Sequence, residues 1–209
     1  MLYMKNLIQK LENIIMSSDA RFTYKGSNLE REVLDYKNDG IHLCVQAHCD
    51  QFRKDGEPYY LHPIRVAAYA ALYIKGYNDW LVRNICLLHD VIEDTDVTEK
   101  EIEDRFGEFV SEHVVELTNV YSKQNYPNLN RKVRKERELE RLASCSNLTK
   151  QIKLLDRLDN LNSTQLSKNV RYLDESKDML DRLGGLNNDI DEALAAKIKN
   201  YEVLYDIKG

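Results

Sequence analysis

The chain has 209 residues and a formal net charge of −5 at pH 7, and it contains only eight glycines and three prolines. These turn-forming residues reach about half of their usual share, too few for a β-sandwich or barrel, and the composition also excludes collagen-like and proline-rich disordered chains. The negative charge argues against broad binding to a nucleic-acid backbone, which needs a basic face. We therefore expect one compact, mostly helical, soluble domain with at most an appendage.

The cysteines and the apolar segments favour a cytoplasmic location. The longest apolar run, residues 66–74, has nine residues, well short of the ~20 that a membrane-spanning helix needs. The N-terminal residues 2–17 show helical amphipathic spacing with charges inside it, which is not typical of a signal peptide. The cysteines have no CxxC spacing, and we expect reduced thiols with mostly packing roles. They are Cys44, Cys49, Cys86 and Cys145.

Hydrophobic periodicity predicts about eight to ten helices in one all-α globule. In chain order the main predicted helices cover residues 2–17, 29–36, 41–52, 62–75, 79–92, 99–106, 108–120, 131–143, 147–166 and 190–204. Asn78 or Asp79 is expected to cap the fifth of these helices. Thr98 and Glu101 have the spacing of a capping box at the start of the sixth. Residues 122–130 read as a polar loop, and Gly184-Gly185 is the clearest helix breaker of the second half.

The segment LLHDVIEDTDVT, residues 87–98, is the most informative stretch of the chain. His89 and Asp90 adjoin each other at the polar end of an apolar helix, and Glu93 shares the helix face of His89 one turn on. Burying several carboxylates close together is unfavourable unless a cation neutralises them. The pattern therefore favours a metal site, although a solvated acidic helix end is the alternative reading.

Two other segments add polar groups of the same kind. His62 begins the helix HPIRVAAYAA, and Asp156 interrupts the otherwise apolar helix IKLLDRLDNL. Residues three and four apart share a helix face, so a polar stripe is expected on this second helix. Taken alone, such a stripe is also typical of a solvated surface. Its members are Lys153, Asp156, Arg157, Asn160 and Ser163.

These motifs resemble a known family. The order H…HD…D is the signature of the HD-superfamily metal-dependent phosphohydrolases. More narrowly, four segments in the same order resemble the hydrolase domain of the RelA/SpoT alarmone proteins and the small alarmone hydrolases, from about residue 41 to residue 165. The segments are AHCDQFRKDGEPYYLHPIRVA, LLHDVIEDTDVT, IEDRFGEFV and IKLLDRLDNL.

The resemblance implies an all-α HD-domain bundle over residues 41–209, preceded by an N-terminal helical extension over residues 1–40. It implies one divalent cation, commonly Mn²⁺ with Fe²⁺ or another ion as alternatives, because a mixed nitrogen and oxygen donor set suits these ions. The expected metal ligands are His62, His89, Asp90 and Asp156. The implied reaction removes the 3′-pyrophosphate of ppGpp or pppGpp and leaves GDP or GTP with pyrophosphate.

The resemblance also assigns roles around the metal. Glu93 and Asp94 match the family's ED pair, which would orient or deprotonate the attacking water. Arg53 and Lys54 match an RK pair near the base and phosphates, and an Arg plane can stack on a purine. The expected substrate contacts are Arg53, Lys54, Lys153, Arg157, Asn160 and Ser163.

Other residues are interpreted more plainly. His48 is expected to be a packed, hydrogen-bonded histidine. The basic run from Arg131 to Arg137 is interleaved with glutamates and is interpreted as a solvated helix face, with closure over a pyrophosphate as the alternative.

The chain departs from the family after Asp156. It has Asp159-Asn160 where His or Tyr and then Asn are common, and Asn162 where an Arg is usual. Alternative substrates therefore stay open: ppApp, NADPH, or a pyrophosphorylated RNA end, the last as an antitoxin. A non-catalytic nucleotide-binding regulator is a further alternative.

The resemblance points to a nucleotide as the small-molecule partner, with no membrane partner. A homo-oligomer or a partner synthetase is compatible with it. Because the hydrolase-like region and its flanking helices use all 209 residues, we expect no synthetase domain in the chain.

Overall fold

The computed structural model describes residues 40–162 and 170–204. The predicted helices 2–17 and 29–36, almost all of the predicted extension 1–40, and Ser163 lie outside these ranges. The described residues form ten helical segments and no strand beyond one isolated bridge, which confirms the all-α prediction. The segments are α1 (Gly40–Ala47), α2 (Leu61–Tyr73), α3 (Asp79–Leu88), α4 (Val91–Asp94), α5 (Glu99–Phe106), α6 (Glu108–Leu117), α7 (Arg131–Ser144), α8 (Asn147–Asn160), α9 (Val170–Leu183) and α10 (Asn188–Leu204).

Helix α8 is the central element of the bundle. It packs against α2, α6, α7, α9 and α10, while α3 packs against α1, α2 and α6. Ile152, Leu154 and Leu155 of α8 are at most 1% exposed and lie in the main hydrophobic core. Polar residues of the same helix are therefore carried into the interior along with its leucines. In the part of the chain that the structure describes, no helix has the length and apolarity to cross a membrane.

Helix α1 ends at Ala47, five residues before the predicted end, because the next residues form a tight loop instead. The Phe52 backbone pairs with Pro58, and the Arg53 amide donates to the Glu57 carbonyl at 2.8 Å. Gly56 makes the turn with a φ of +88°, a left-handed conformation that favours glycine. The loop carries the chain back to the start of α2 and so brings Arg53 close to His62.

The helix predicted over 79–92 is broken at His89-Asp90, which separates α3 from α4. Asn78 caps α3 as predicted, since its side chain accepts from the amides of Trp80 and Leu81. At the other end, the His89 ring bonds the Cys86 carbonyl of its own last turn. The helix end therefore fixes the orientation of this imidazole.

The remaining boundaries fall close to the predictions. Helices α5, α7 and α10 lie within about two residues of the predicted spans, whereas α6 stops at Leu117 and α8 at Asn160. Thr98 caps α5, but Glu101 bonds Arg105 rather than completing a capping box. All four cysteines are free thiols, two of them buried, as expected for a reduced chain.

Candidate active site

Three helices bring the four predicted metal ligands together. The ligand atoms of His62, His89 and Asp90 all lie within 4.8 Å of one another. Asp156 Oδ1 lies 3.1 Å from His62 Nε2 and 3.8 Å from His89 Nε2. His62 and His89 are each 1% exposed. The arrangement therefore places two imidazoles and two carboxylates around one buried point.

Both imidazoles present Nε2 to this point because their Nδ1 atoms are engaged elsewhere. His89 Nδ1 lies 2.7 Å from the Cys86 carbonyl, and His62 Nδ1 lies 2.7 Å from Asp159 Oδ2. His89 Nε2 is buried and lies 3.0 Å from Asp90 Oδ2, but among the described residues it makes no hydrogen bond of good geometry. A buried polar atom without a well-formed hydrogen bond is unfavourable. A divalent cation fits here, since it would bind this lone pair together with the neighbouring nitrogen and carboxylate oxygens.

The charges of the four groups are strongly coupled. Burial on its own lowers the pKa of His89, but Asp90 and Asp156 raise it to about 10. Burial likewise opposes ionisation of the carboxyls, yet His89 holds the pKa of Asp90 below its usual range, and Lys153 does the same for Asp156. Without a cation, protons on the imidazoles balance the carboxylates. Cation binding at this site is therefore expected to release protons.

Further side chains hold the two carboxylates in place. Lys153 Nζ lies 2.9 Å from Asp156 Oδ2, and Asn160 Nδ2 donates to Asp156 Oδ1 at 2.6 Å. Tyr59 Oη donates to Asp90 Oδ2 at 2.7 Å. Sequence reasoning missed this role of Tyr59, although its place three residues before His62 in EPYYLH was a signal.

Glu93 and Asp94 lie on α4, directly after the metal-ligand cluster. Glu93 accepts from the backbone and side-chain amides of Asn119 at 3.1 and 3.4 Å, and Asp94 Oδ2 accepts from Tyr59 Oη at 3.1 Å. Burial, together with the neighbouring Asp90, raises the pKa of both carboxyls. Carboxylates with a raised pKa are better proton acceptors than ordinary ones.

A cavity of about 890 Å³ opens beside the cluster and is bounded by α4, α7, α8 and α9. Its lining includes Asp90, Asp156, Glu93 and Asp94. It also includes cationic side chains from three helices, together with acidic ones from α7 and α9. The cations are Arg131, Lys132, Lys135, Lys153, Arg157 and Arg171.

Lys135 lies in a locally cationic part of the lining. Burial lowers its pKa, and the nearby charges of Arg157 and Lys153 lower it further against the opposing effect of Glu175. Clustered cations suit an anionic ligand such as a phosphate group, and acidic side chains of α7 and α9 share the lining with them.

The polar faces of α8 and α7 differ in exposure. Asp156 and Arg157 of the α8 stripe are only 6% and 8% exposed, so this stripe is not a solvated face. On α7, Arg131, Lys132 and Lys135 are exposed, as the solvated-face interpretation predicts, and they also line the cavity. Arg137 does face away, with its guanidinium 6.0 Å from the ring centre of Tyr121.

The predicted substrate contacts are distributed unevenly. Lys153, Arg157 and Asn160 line the cavity. Arg53 lies behind it, with an 11% exposed side chain that bonds Asp159 and Asn160. Lys54 is an exposed loop residue that does not line the cavity, and Ser163 lies outside the described ranges.

His48 is fully buried and packs against Tyr59, with ring centres 4.9 Å apart. Its Nδ1 hydrogen-bonds Gln51 Oε1 at 2.8 Å. It is therefore a packed, hydrogen-bonded histidine, as expected.

Comparisons with known proteins agree with this site. Residues 41–184 match the family described as HD domain. The chain is 35% identical over 148 residues to the guanosine-3′,5′-bis(diphosphate) 3′-pyrophosphohydrolase MESH1 of Xenopus tropicalis. This match covers 70% of this chain and 71% of that protein. It is 30% identical over 171 residues to a probable enzyme of the same name from Mycoplasma pneumoniae, covering 78% of this chain but only 22% of that longer protein.

A solved structure shares the architecture. It is described as a metazoan orthologue of SpoT that hydrolyses ppGpp and plays a role in starvation responses, and it superposes with a TM-score of 0.66 at 27% identity. The match covers 85% of this chain and 97% of the other. The chain therefore belongs to the HD-domain family, within the group of the guanosine-3′,5′-bis(diphosphate) 3′-pyrophosphohydrolases.

Proposed function

We propose that the protein is a metal-dependent hydrolase that removes the 3′-pyrophosphate of ppGpp or pppGpp, giving GDP or GTP and pyrophosphate. The supporting observation is the cluster of two histidines and two aspartates beside a cavity whose lining includes lysine and arginine side chains from three helices. The activity named for the MESH1 relative, whose length the chain largely covers, supports the same reaction.

Within this proposal, His62, His89, Asp90 and Asp156 hold one divalent cation, for which Mn²⁺ is the first candidate. When bound, such a cation lowers the pKa of water and polarises a phosphate oxygen. The buried Nε2 of His89, which makes no well-formed hydrogen bond although Asp90 Oδ2 lies 3.0 Å away, and the mixed donor set support this assignment.

Glu93 and Asp94 would orient the attacking water and accept its proton. Glu93 is held by Asn119, and Asp94 by Tyr59, so both carboxylates have fixed positions beside the cluster. Water would add to the phosphorus attached to the 3′ oxygen. The bond from the 3′ oxygen to phosphorus would break, so that the water oxygen stays on the released pyrophosphate and the 3′ oxygen takes up a proton to give the free hydroxyl of GDP or GTP.

The cations of the cavity lining would bind the remaining phosphates of the substrate. Lys135 is well suited to this, because the positive charges of Arg157 and Lys153 lie near it and a bound anion would offset their repulsion. The Arg157 guanidinium lies 4.3 Å above the Tyr172 ring, which fixes it in the wall. Because Arg53 is engaged with Asp159 and Asn160, the structure gives less support to a direct Arg53 contact with the base.

The test is to incubate purified, metal-free protein with Mn²⁺ and a panel of nucleotides and to compare kcat/KM. GDP and pyrophosphate should be produced from ppGpp, activity should disappear with a chelator, and Asp90→Ala should be inactive. A preference for ppApp, NADPH or a pyrophosphorylated RNA end would change the substrate but keep the enzyme class. Mn²⁺ binding without turnover of any panel member would contradict the proposal and favour a regulator.

The proposed compartment is the cytoplasm. All four cysteines are unpaired, including the exposed Cys49, as is usual in a reducing environment.

A further inference from the structure

Asp159 is a buried carboxylate that lies behind the metal-ligand cluster. It follows Asp156 by three residues on α8, and its side chain has no exposed surface. An unpaired carboxylate at this depth would be strongly destabilising. Its partners must therefore account for its presence.

The close partners of Asp159 include three side chains from α2 and the loop before it. Asp159 Oδ2 lies 2.7 Å from His62 Nδ1 and 3.2 Å from Arg53 Nη1, and Oδ1 accepts from Arg65 Nε at 2.7 Å. With two guanidinium groups beside it the carboxylate is ionised, and an ionised carboxylate can only accept hydrogen bonds. The shared proton therefore belongs to His62 Nδ1, which leaves Nε2, facing Asp156 and Asp90, as the nitrogen whose lone pair a cation would bind.

The same carboxylate connects the cluster to the loop before α2. Arg53 reaches Asp159 from that loop, and it also bonds Asn160, which in turn bonds Asp156. Arg65 is independently paired with Glu57 through two contacts of 2.7 and 2.8 Å. Loss of the Asp159 charge therefore leaves Arg65 compensated, but His62 Nδ1 then faces a neutral group in place of an anionic acceptor.

We propose that Asp159 is a positioning residue that holds the His62 ring with its proton on Nδ1 and Nε2 available for the cation, and that also ties the Arg53 loop to the metal site. Metal-binding histidines commonly have such a carboxylate partner. The inference rests on the proposed function only for the presence of a divalent cation, and it does not depend on which nucleotide is hydrolysed.

The first test is a calorimetric titration of metal-free, full-length protein with Mn²⁺ alone. Asp159→Asn keeps the shape of the side chain but removes its charge, and it should weaken Mn²⁺ binding about 10-fold to 100-fold. Glu57→Gln is the matched control, because it perturbs Arg65 from its other side without touching His62, and its Mn²⁺ affinity should equal that of the wild type. Asp159→Asn with wild-type Mn²⁺ affinity would overturn the proposal.

A second test uses the wild-type protein and so does not depend on a variant that folds. In ¹⁵N-labelled protein loaded with Zn²⁺, a diamagnetic cation, long-range ¹⁵N–¹H spectra should show the His62 proton on Nδ1 and the cation at Nε2. The reverse arrangement would overturn the proposal. Since both tests use metal ions without nucleotide, wild-type protein that binds Mn²⁺ but hydrolyses no ppGpp would refute the proposed function and leave this inference standing.

Discussion

Replacing Tyr59 by Phe removes one hydroxyl that contacts two carboxylates of the site. Tyr59 Oη donates to Asp90 Oδ2 at 2.7 Å and lies 3.1 Å from Asp94 Oδ2. Burial and the charges of Asp90 and Asp94 raise the pKa of Tyr59, so the hydroxyl remains protonated at neutral pH. The substitution therefore removes a donor that links a metal ligand to one of the proposed water-orienting groups.

The size of the effect follows from the exposure of Asp90. A hydrogen bond to a charged group contributes about 1.5–3 kcal/mol to stability in folded proteins. The Asp90 side chain keeps 13% of its surface exposed, so water can replace part of the lost contact. We expect a loss near the lower end, about 1.4 kcal/mol, which is about a tenfold fall in kcat/KM.

The assay is steady-state hydrolysis of ppGpp at saturating Mn²⁺, with Mn²⁺ affinity measured separately. Tyr69→Phe is the matched control, since its hydroxyl accepts only a 3.1 Å contact from Asn162 among the side-chain hydrogen bonds of the described residues. Tyr59→Phe with wild-type kcat/KM and wild-type Mn²⁺ affinity would refute the reasoning. An equal loss in Tyr69→Phe would show that the effect is not specific to the carboxylates.

Three further changes test the cavity, the core and the pH response. Lys135→Met should raise KM for ppGpp about tenfold with little change in kcat, because one cation facing a phosphate is lost; an unchanged KM would exclude this residue from the binding wall. Leu154→Ala should lower the free energy of unfolding in urea by about 2–5 kcal/mol, since the side chain is 1% exposed in the core. Burial alone raises the pKa of Glu116, but hydrogen bonds from Thr149 and Ser146 lower it overall. The stabilisation of the folded state by ionised Glu116 is therefore complete above the unfolded-state pKa of about 4.3. It is lost as the pH falls through the lower folded-state pKa. The difference in unfolding free energy between the wild type and Glu116→Gln should therefore shrink below about pH 4.3, and a constant difference would contradict this.

Most of the helices and the proposed metal-ligand positions could be predicted from local pattern and from the family motifs, whereas α9 had no predicted counterpart. The apolar spacing of α10 and the helix breaker before it are readable without knowing any neighbour. His89 and Asp90 are recognisable as an adjacent pair at an apolar helix end. The helix break at these two residues was not predicted, because the apolar spacing continues through Val91 and Ile92.

The environment of the α8 stripe could not be read from spacing, because spacing gives a face of a helix but not what covers it. Asp156 and Arg157 have the periodicity of a solvated surface, yet each is buried against groups from distant parts of the chain. The same limit applies to α7: its spacing predicts the exposed basic face that is observed, but not that Lys135 on this face also lines the cavity together with residues of α9. Both environments depend on tertiary partners rather than on local structure.

Arg53 illustrates how a departure from the family pattern changes a neighbouring residue. The sequence places Asp159 where the family often has His or Tyr, and this carboxylate, with Asn160, binds the N–H groups of the Arg53 guanidinium. A guanidinium stacks on a purine through its flat faces, whereas it forms hydrogen bonds in its plane through its N–H groups. The contacts to Asp159 and Asn160 therefore fix the orientation of the Arg53 guanidinium plane, and they do not use its flat faces. A base that stacks on Arg53 must lie parallel to this fixed plane. Because Asp159 also contacts His62, a change at this one position is expected to alter nucleotide preference and metal affinity together.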